Sequence, residues 1–169
     1  AEHQGAIINV AIDFHHRVTL RPRQDQRILV NALGQMEEAV LGQPIAIERM
    51  KLQLVWAAVD HFADRVPSGF GLSIQSDVMD SCGLGTSASA AVTLVGAFNR
   101  WLDQPNDADA VARLAFMLET QRLGWAGGKQ DQWAAAYGGL NLTRYGPGEQ
   151  VGVAPLKLDA QQRHRLQSW

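Results

Sequence analysis

One cysteine, Cys82, is present in 169 residues, so no disulfide can form within the chain and a reducing compartment suits it. Positive charge is not in excess either. Lys and Arg number 15 against 17 Asp and Glu, for a net charge of -2, and the basic residues are scattered. That argues against nucleic acid as a partner, because no basic stripe is available to follow a phosphate backbone. No apolar run approaches membrane-spanning length. Internal repeats, low-complexity tracts and a signal-peptide pattern are also lacking. The cytoplasm is the expected location. The sequence begins at Ala1 without an initiator Met and stops at Trp169 inside the opening of a helix, which reads as a piece of a longer protein.

Hydrophobic residues make up 46% of the chain and charged ones 19%, enough for one good core and too little length for two large ones. Ala6 to Ile12 is mostly apolar. Phe14, His16, Val18 and Leu20 then alternate with His15, Arg17, Thr19 and Arg21, the pattern of a half-buried strand. After the polar turn Pro22 to Gln26, the run Arg27 to Leu33 is expected to return as its hairpin partner. Leu52, Val55, Val59, Phe62 and Val66 recur at helical steps until Pro67 and Gly69. Phe70, Leu72 and Ile74 mark another strand, and Val92, Val95, Phe98 and Leu102 a helix. Asn106 or Asp107 can cap a further helix that runs to about Leu123 and stops at Gly124. On that helix Ala108, Ala112, Ala115 and Glu119 share one face, which packs closely and directs the carboxylate the same way. Gly127 and Gly128 open a second turn before the helix-prone Trp133 to Tyr137. Leu140 to Tyr145 and Val151 to Leu156 read as a last hairpin around Gly146-Pro147-Gly148, with a polar helix beginning near Asp159.

The chemistry concentrates in two glycine turns. Gly83-Leu84-Gly85-Thr86-Ser87-Ala88-Ser89 lies between a strand and a helix, where small residues let the backbone approach an anion and first-turn amides point at it. A P-loop would need Ser or Thr after Gly128-Lys129, but Gln130 stands there and Leu123 occupies the place of the first Gly. Gly83, Gly85 and Ala88 satisfy a dinucleotide fingerprint on its face. Asp103 is at the right spacing for its ribose-binding acid, yet no strand precedes it. A dinucleotide-binding oxidoreductase therefore stays as an alternative with its βαβ context missing.

The run Asp80-Ser81-Cys82-Gly83-Leu84-Gly85-Thr86-Ser87-Ala88-Ser89 resembles the ATP-binding motif of the GHMP kinases, the family of galactokinase, homoserine kinase, mevalonate kinase and phosphomevalonate kinase. Gly128-Lys129-Gln130-Asp131-Gln132-Trp133-Ala134-Ala135-Ala136-Tyr137-Gly138-Gly139-Leu140-Asn141 is similar to the branch holding D-glycero-D-manno-heptose 7-phosphate kinase and fucokinase. Gly5 to Ile12 resembles the strand that follows the first sugar-binding motif there. The resemblance implies an α+β fold of two layers, a mixed and mainly antiparallel sheet with helices on one side, with the N-terminal ATP-binding domain at 1–156. Residues 157–169 would begin the connection to an absent C-terminal domain. It also implies ATP- and magnesium-dependent phosphoryl transfer to a sugar's anomeric hydroxyl.

Carried onto this sequence, the resemblance assigns the ATP phosphates to Gly83, Leu84, Gly85, Thr86, Ser87, Ala88 and Ser89. It assigns magnesium to Ser87 and Glu119, and the acceptor hydroxyl to Asp131 with help from Lys129. Asp80 stands where many relatives have Pro. The early sugar motif would precede Ala1 and the third glycine-rich motif would follow Trp169, so the fragment alone is expected to be weak or inactive. A regulatory module that keeps the loop without the chemistry is the reading from outside enzymology. Asp131 also has a plainer option, capping a helix that begins near Gln132. His15 and His16 point to opposite sides of a strand and cannot easily share an ion. Cys82 reads as a small buried filler. Trp56, Trp125 and Trp133 read as core or pocket wall, with stacking on a sugar ring open to Trp125 and Trp133.

Overall fold

Side-chain alternation and helical spacing account for most of the elements in the computed structural model, which describes residues 5–78, 83–148 and 150–167. Asp80, Ser81 and Cys82, with the packing role expected for Cys82, lie outside the described residues. In chain order the strands are β1 (Gly5–Val10), β2 (His16–Pro22), β3 (Arg27–Ala32), β4 (Gln35–Val40), β5 (Phe70–Ser76), β6 (Leu140–Tyr145) and β7 (Val151–Pro155). The α-helices are α1 (Gln53–Phe62), α2 (Thr86–Trp101), α3 (Ala108–Met117), α4 (Gln130–Tyr137) and α5 (Ala160–Gln167). Two compact units result, one drawn from Ala1–Ile12 and Gly138–Trp169, the other from Asp13–Tyr137.

The first unit is an antiparallel sheet in the order β1-β6-β7. The expected last hairpin is there, closed by the bond from the Gly146 amide to the Gln150 carbonyl at 2.9 Å. Asn141 and Thr143 are buried on one face of β6, and Thr143 Oγ1 donates to Asn9 Oδ1 on β1 at 3.2 Å.

The larger unit holds a mixed sheet in the order β2-β5-β3-β4. Here the expected hairpin between β2 and β3 is corrected, because β5 lies between them, antiparallel to β2 and parallel to β3. The turn after β2 does not close back on its own strand. Instead the Arg23 amide donates to the Gly69 carbonyl at 2.8 Å and the Gly69 amide to the Asp25 carbonyl at 3.0 Å, which holds the entry of β5 in the gap. The real partner in sequence is β4, joined to β3 through the two-residue loop Leu33-Gly34. The sequence reading missed β4, whose Gln-Met-Glu-Glu-Ala-Val run alternates only weakly.

One face of this sheet makes the core. Ile28, Val30 and Ala32 of β3 and Phe70 and Leu72 of β5 are buried against α1 and α2. Phe62 stacks on Phe98 at 4.6 Å between ring centroids, and Phe70 meets Phe98 edge-on at 5.6 Å, so α1, α2 and β5 join through three rings. The α+β class and helices on one face of a sheet are as expected. Asp107 caps α3, its carboxylate accepting from the Ala110 amide at 3.0 Å. The expected continuation to Leu123 changes form: Leu118–Arg122 is a π turn, with the Leu123 amide bonding to the Leu118 carbonyl at 3.1 Å. Gly124 then stops it at φ +68.

Candidate active site

The glycine loop ends at Gly85, whose left-handed backbone (φ +67) leads directly into α2. Its carbonyl accepts from the Ser89 amide at 2.9 Å, so the helix is established from its first residue. Gly85, the N-cap, has no side chain to cap this end, and the first-turn amides of a 16-residue helix sit at its positive pole. Ser87 is exposed and Thr86 half-buried at this opening. Leu84 is exposed, whereas the Ala88 side chain is buried in packing and leaves only its backbone to the loop. Ser89 is turned toward β2, its Oγ 3.1 Å from His16 Nδ1.

Gly85 is also the point where the two glycine turns meet. A Cβ built on it would lie 3.2 Å from both Cβ and Cγ of Asp131, closer than nine in ten real contacts of that kind. The lack of a side chain at Gly85 therefore lets an exposed carboxylate stand beside the N-terminal, positive end of α2. Asp131 sits in the first turn of α4, which starts one residue earlier, so the plainer option of capping a helix from Gln132 is not realised. Lys129 precedes that helix and holds its ammonium 5.7 Å from the centre of the Phe116 ring on α3.

Glu119, on the π turn, is buried at 5% exposure, and its Oε2 accepts from Gln132 Nε2 at 2.5 Å. Gln132 is buried to the same degree, and its side-chain oxygen, Oε1, has no hydrogen-bond partner among the described residues. An oxygen without a partner beside a buried carboxylate is a costly arrangement unless something donates to it or coordinates nearby. Oxygen donors of this kind suit a hard divalent cation. Among the described residues no group of three or more His, Cys, Asp or Glu could enclose a metal. The sequence reading gave Gln132 no task of its own. Its one visible sign is a second amide, after Gln130, in the polar first turn of a helix that continues with small and aromatic residues.

Beside Thr86 and Ser87 opens a cavity of about 310 Å³, with Leu33, Leu52, Val55 and Trp125 among its apolar walls and His16 and Lys51 at its polar edge. Trp125 is 39% exposed. Trp133 is 2% exposed and donates to Asp109 Oδ1 at 2.9 Å, which removes it as a surface for a sugar ring. Trp56 is core. His15 lies in water near Asp13 and Asp77, and His16 is half-buried, so the pair is divided as the strand geometry requires. Asp103 follows the far end of α2, about 24 Å along the axis from the loop. With another helix rather than a strand after it, the dinucleotide geometry is absent from the described residues.

Residues 53–139 match the GHMP kinases N terminal domain, just over half of the chain. The chain belongs to the GHMP kinase family. Among curated GHMP relatives, the D-glycero-alpha-D-manno-heptose 7-phosphate kinase of Campylobacter jejuni is 31% identical over 163 residues, covering 93% of this chain and 48% of the relative. The crystal structure of a D-glycero-D-manno-heptose 1-phosphate kinase from Bacteroides thetaiotaomicron superposes with a TM-score of 0.85 at 29% identity, over 94% of this chain and 53% of that one. The Methanococcus jannaschii mevalonate kinase structure, at 22% identity and a TM-score of 0.75 over 90% of this chain and 49% of its own, shares the fold. This GHMP chain thus spans about half the length of the relatives it matches. No helix among its described residues is long and apolar enough to cross a membrane.

Proposed function

We propose that this chain supplies the ATP-binding half of a sugar 1-kinase, and that the complete protein transfers the γ-phosphoryl group of ATP to the anomeric hydroxyl of a sugar, with heptose 7-phosphate ahead of fucose. The observation that carries the reading is the contact of Gly85 with Asp131, which puts a carboxylate beside the end of α2 where phosphates bind best. In this reading the backbone from Gly83 to Ser89 wraps the phosphates, with Thr86 and Ser87 adding hydroxyl donors. The cavity next to them, apolar and bounded by Trp125, has the size and lining for a nucleobase.

Asp131 accepts the proton of the sugar hydroxyl as its oxygen attacks the γ-phosphorus, and ADP departs from the opposite side. Lys129 balances charge on the transferring group. Ser87 and Glu119 would hold magnesium, which supplies charge neutralisation on the phosphates when bound. The name of the Campylobacter relative supports the choice of sugar. A cytoplasmic location goes with ATP as the donor. The remaining half of the relatives' length, as a C-terminal domain of the same protein, would complete the sugar site.

The test is turnover of ATP by the complete protein against a panel of sugars, with the product position read by phosphorus NMR. A C1 phosphate on a heptose 7-phosphate is the expected result, and Asp131→Asn should lower kcat by about a hundredfold or more while the KM for ATP changes little. Unchanged output from Asp131→Asn would instead favour a binding module without chemistry.

A further inference from the structure

Glu119 is held at its backbone and at its carboxylate by different partners. Its carbonyl accepts from the Trp125 amide at 2.9 Å, which fixes the main chain of the π turn. A flexible side chain still separates that main chain from the carboxylate. The bond from Gln132 Nε2 on α4 to Glu119 Oε2 restrains the far end, and both side chains are buried. Its direction is forced, because a carboxylate only accepts, so the amide must present its nitrogen to Glu119 and its oxygen elsewhere. Oε1 then finds no partner among the described residues. A buried oxygen left so costs stability on the same scale as a bond to a charged acceptor contributes, and the two effects offset each other. Stability of the fold is therefore a poor account of Gln132. What the arrangement does secure is the orientation of one carboxylate.

We propose that Gln132 is a positioning residue for the cation site, one that holds the Glu119 carboxylate in the orientation in which it meets magnesium. This rests on the reading of the chain as the ATP-binding half of a kinase with Glu119 on the metal. It goes further in making the geometry of that ligand depend on an uncharged side chain from another helix. Partners that hydrogen-bond a ligating carboxylate set metal affinity in this way. Gln132 also follows Asp131 directly, so one turn of α4 carries both the acceptor-side carboxylate and the hold on Glu119.

The experiment uses the complete protein and measures ADP binding by calorimetry, once with magnesium and once with EDTA. In the parent, magnesium should tighten ADP. Gln132→Met, which keeps the length of the side chain and removes both polar atoms, should cut that magnesium-dependent gain about tenfold while ADP in EDTA stays within about twofold of the parent. Gln132→Asn keeps an amide but is too short to reach Glu119; it should show the same loss, which keeps the test decisive where Gln132→Met does not fold. An unchanged magnesium gain in either folded variant would overturn the proposal. So would an equal loss of ADP affinity with magnesium and with EDTA, the mark of a merely structural role. A folded parent that binds ADP with no gain from magnesium would overturn the assignment of Glu119 to the metal, and the role of Gln132 with it. A folded parent that binds no ADP in either condition would overturn the kinase reading itself.

Discussion

Glu37 shows how one side chain on an unnoticed strand can organise a helix. The first turn of α1 has no acidic residue and its N-cap, Leu52, has no side chain able to accept a hydrogen bond. Glu37 on β4 does that work from outside, accepting from the amides of Lys51 at 2.8 Å and Leu52 at 3.2 Å and from Trp56 Nε1 at 2.7 Å. Burial pushes its carboxyl up, but the three donors together outweigh it and hold it below the ordinary value of 4.5. A depressed folded pKa means the carboxylate's stabilisation is complete above about 4.5 and is lost as the pH falls through the lower folded value. Glu37→Gln should therefore cost about 1–3 kcal/mol at pH 7, with the gap to the parent narrowing in thermal melts as the pH is taken below 4.5. A gap independent of pH would mean that charge is not what the donors require. The glycine loop offers a paired comparison. Gly83 and Gly85 are both left-handed, but only a Cβ at Gly85 would meet Asp131. Each Gly→Ala change should cost about 1–2 kcal/mol for conformation, and the one at Gly85 should also lower kcat by displacing the Asp131 carboxylate.

Between elements, the ring cluster decides whether α2 holds its loop in place. Phe98 is fully buried between Phe62 and Phe70, so Phe98→Ala should destabilise the protein by about 3–5 kcal/mol in chemical denaturation. Below its melting temperature the KM for ATP should stay near that of the parent, since the cavity left behind is at the other end of the helix from Gly85. The elements that were legible beforehand are those with local causes. The Asp107 cap, the small face of α3 ending in Glu119, the stop at Gly124 and the hairpin around Gly146 each follow from a few adjacent residues. The insertion of β5 between β2 and β3 does not, because it depends on Gly69 bonding to backbone atoms of Arg23 and Asp25 far away in the chain. The π turn was hidden for a related reason: one extra residue per turn barely disturbs an apolar pattern, though it carries the buried Glu119. At the site, both glycine turns could be read from composition. Their meeting at Gly85, and the bond from Gln132 to Glu119, needed the packing of α4 on α3 to become visible.

For the whole molecule, the smaller unit bears on how much of the protein is needed for activity. Ala6, Ile8 and Val10 point to the same side of β1, and Ile8 and Val10 are 66% and 53% exposed, an apolar strip on a strand at the sheet's edge. Relatives about twice as long as this chain share its fold, which agrees with that strip being covered by further polypeptide in the complete protein. Replacing Ile8 and Val10 together by Lys separates the two situations. In the 169-residue chain the double change should reduce concentration-dependent association in sedimentation velocity, because it removes exposed apolar area and charges an edge strand. In the complete protein the same change should lower the Tm by several degrees, since two Lys side chains would then be forced into a covered face. Equal Tm for the complete protein with and without the double change would show that the strip faces water there too.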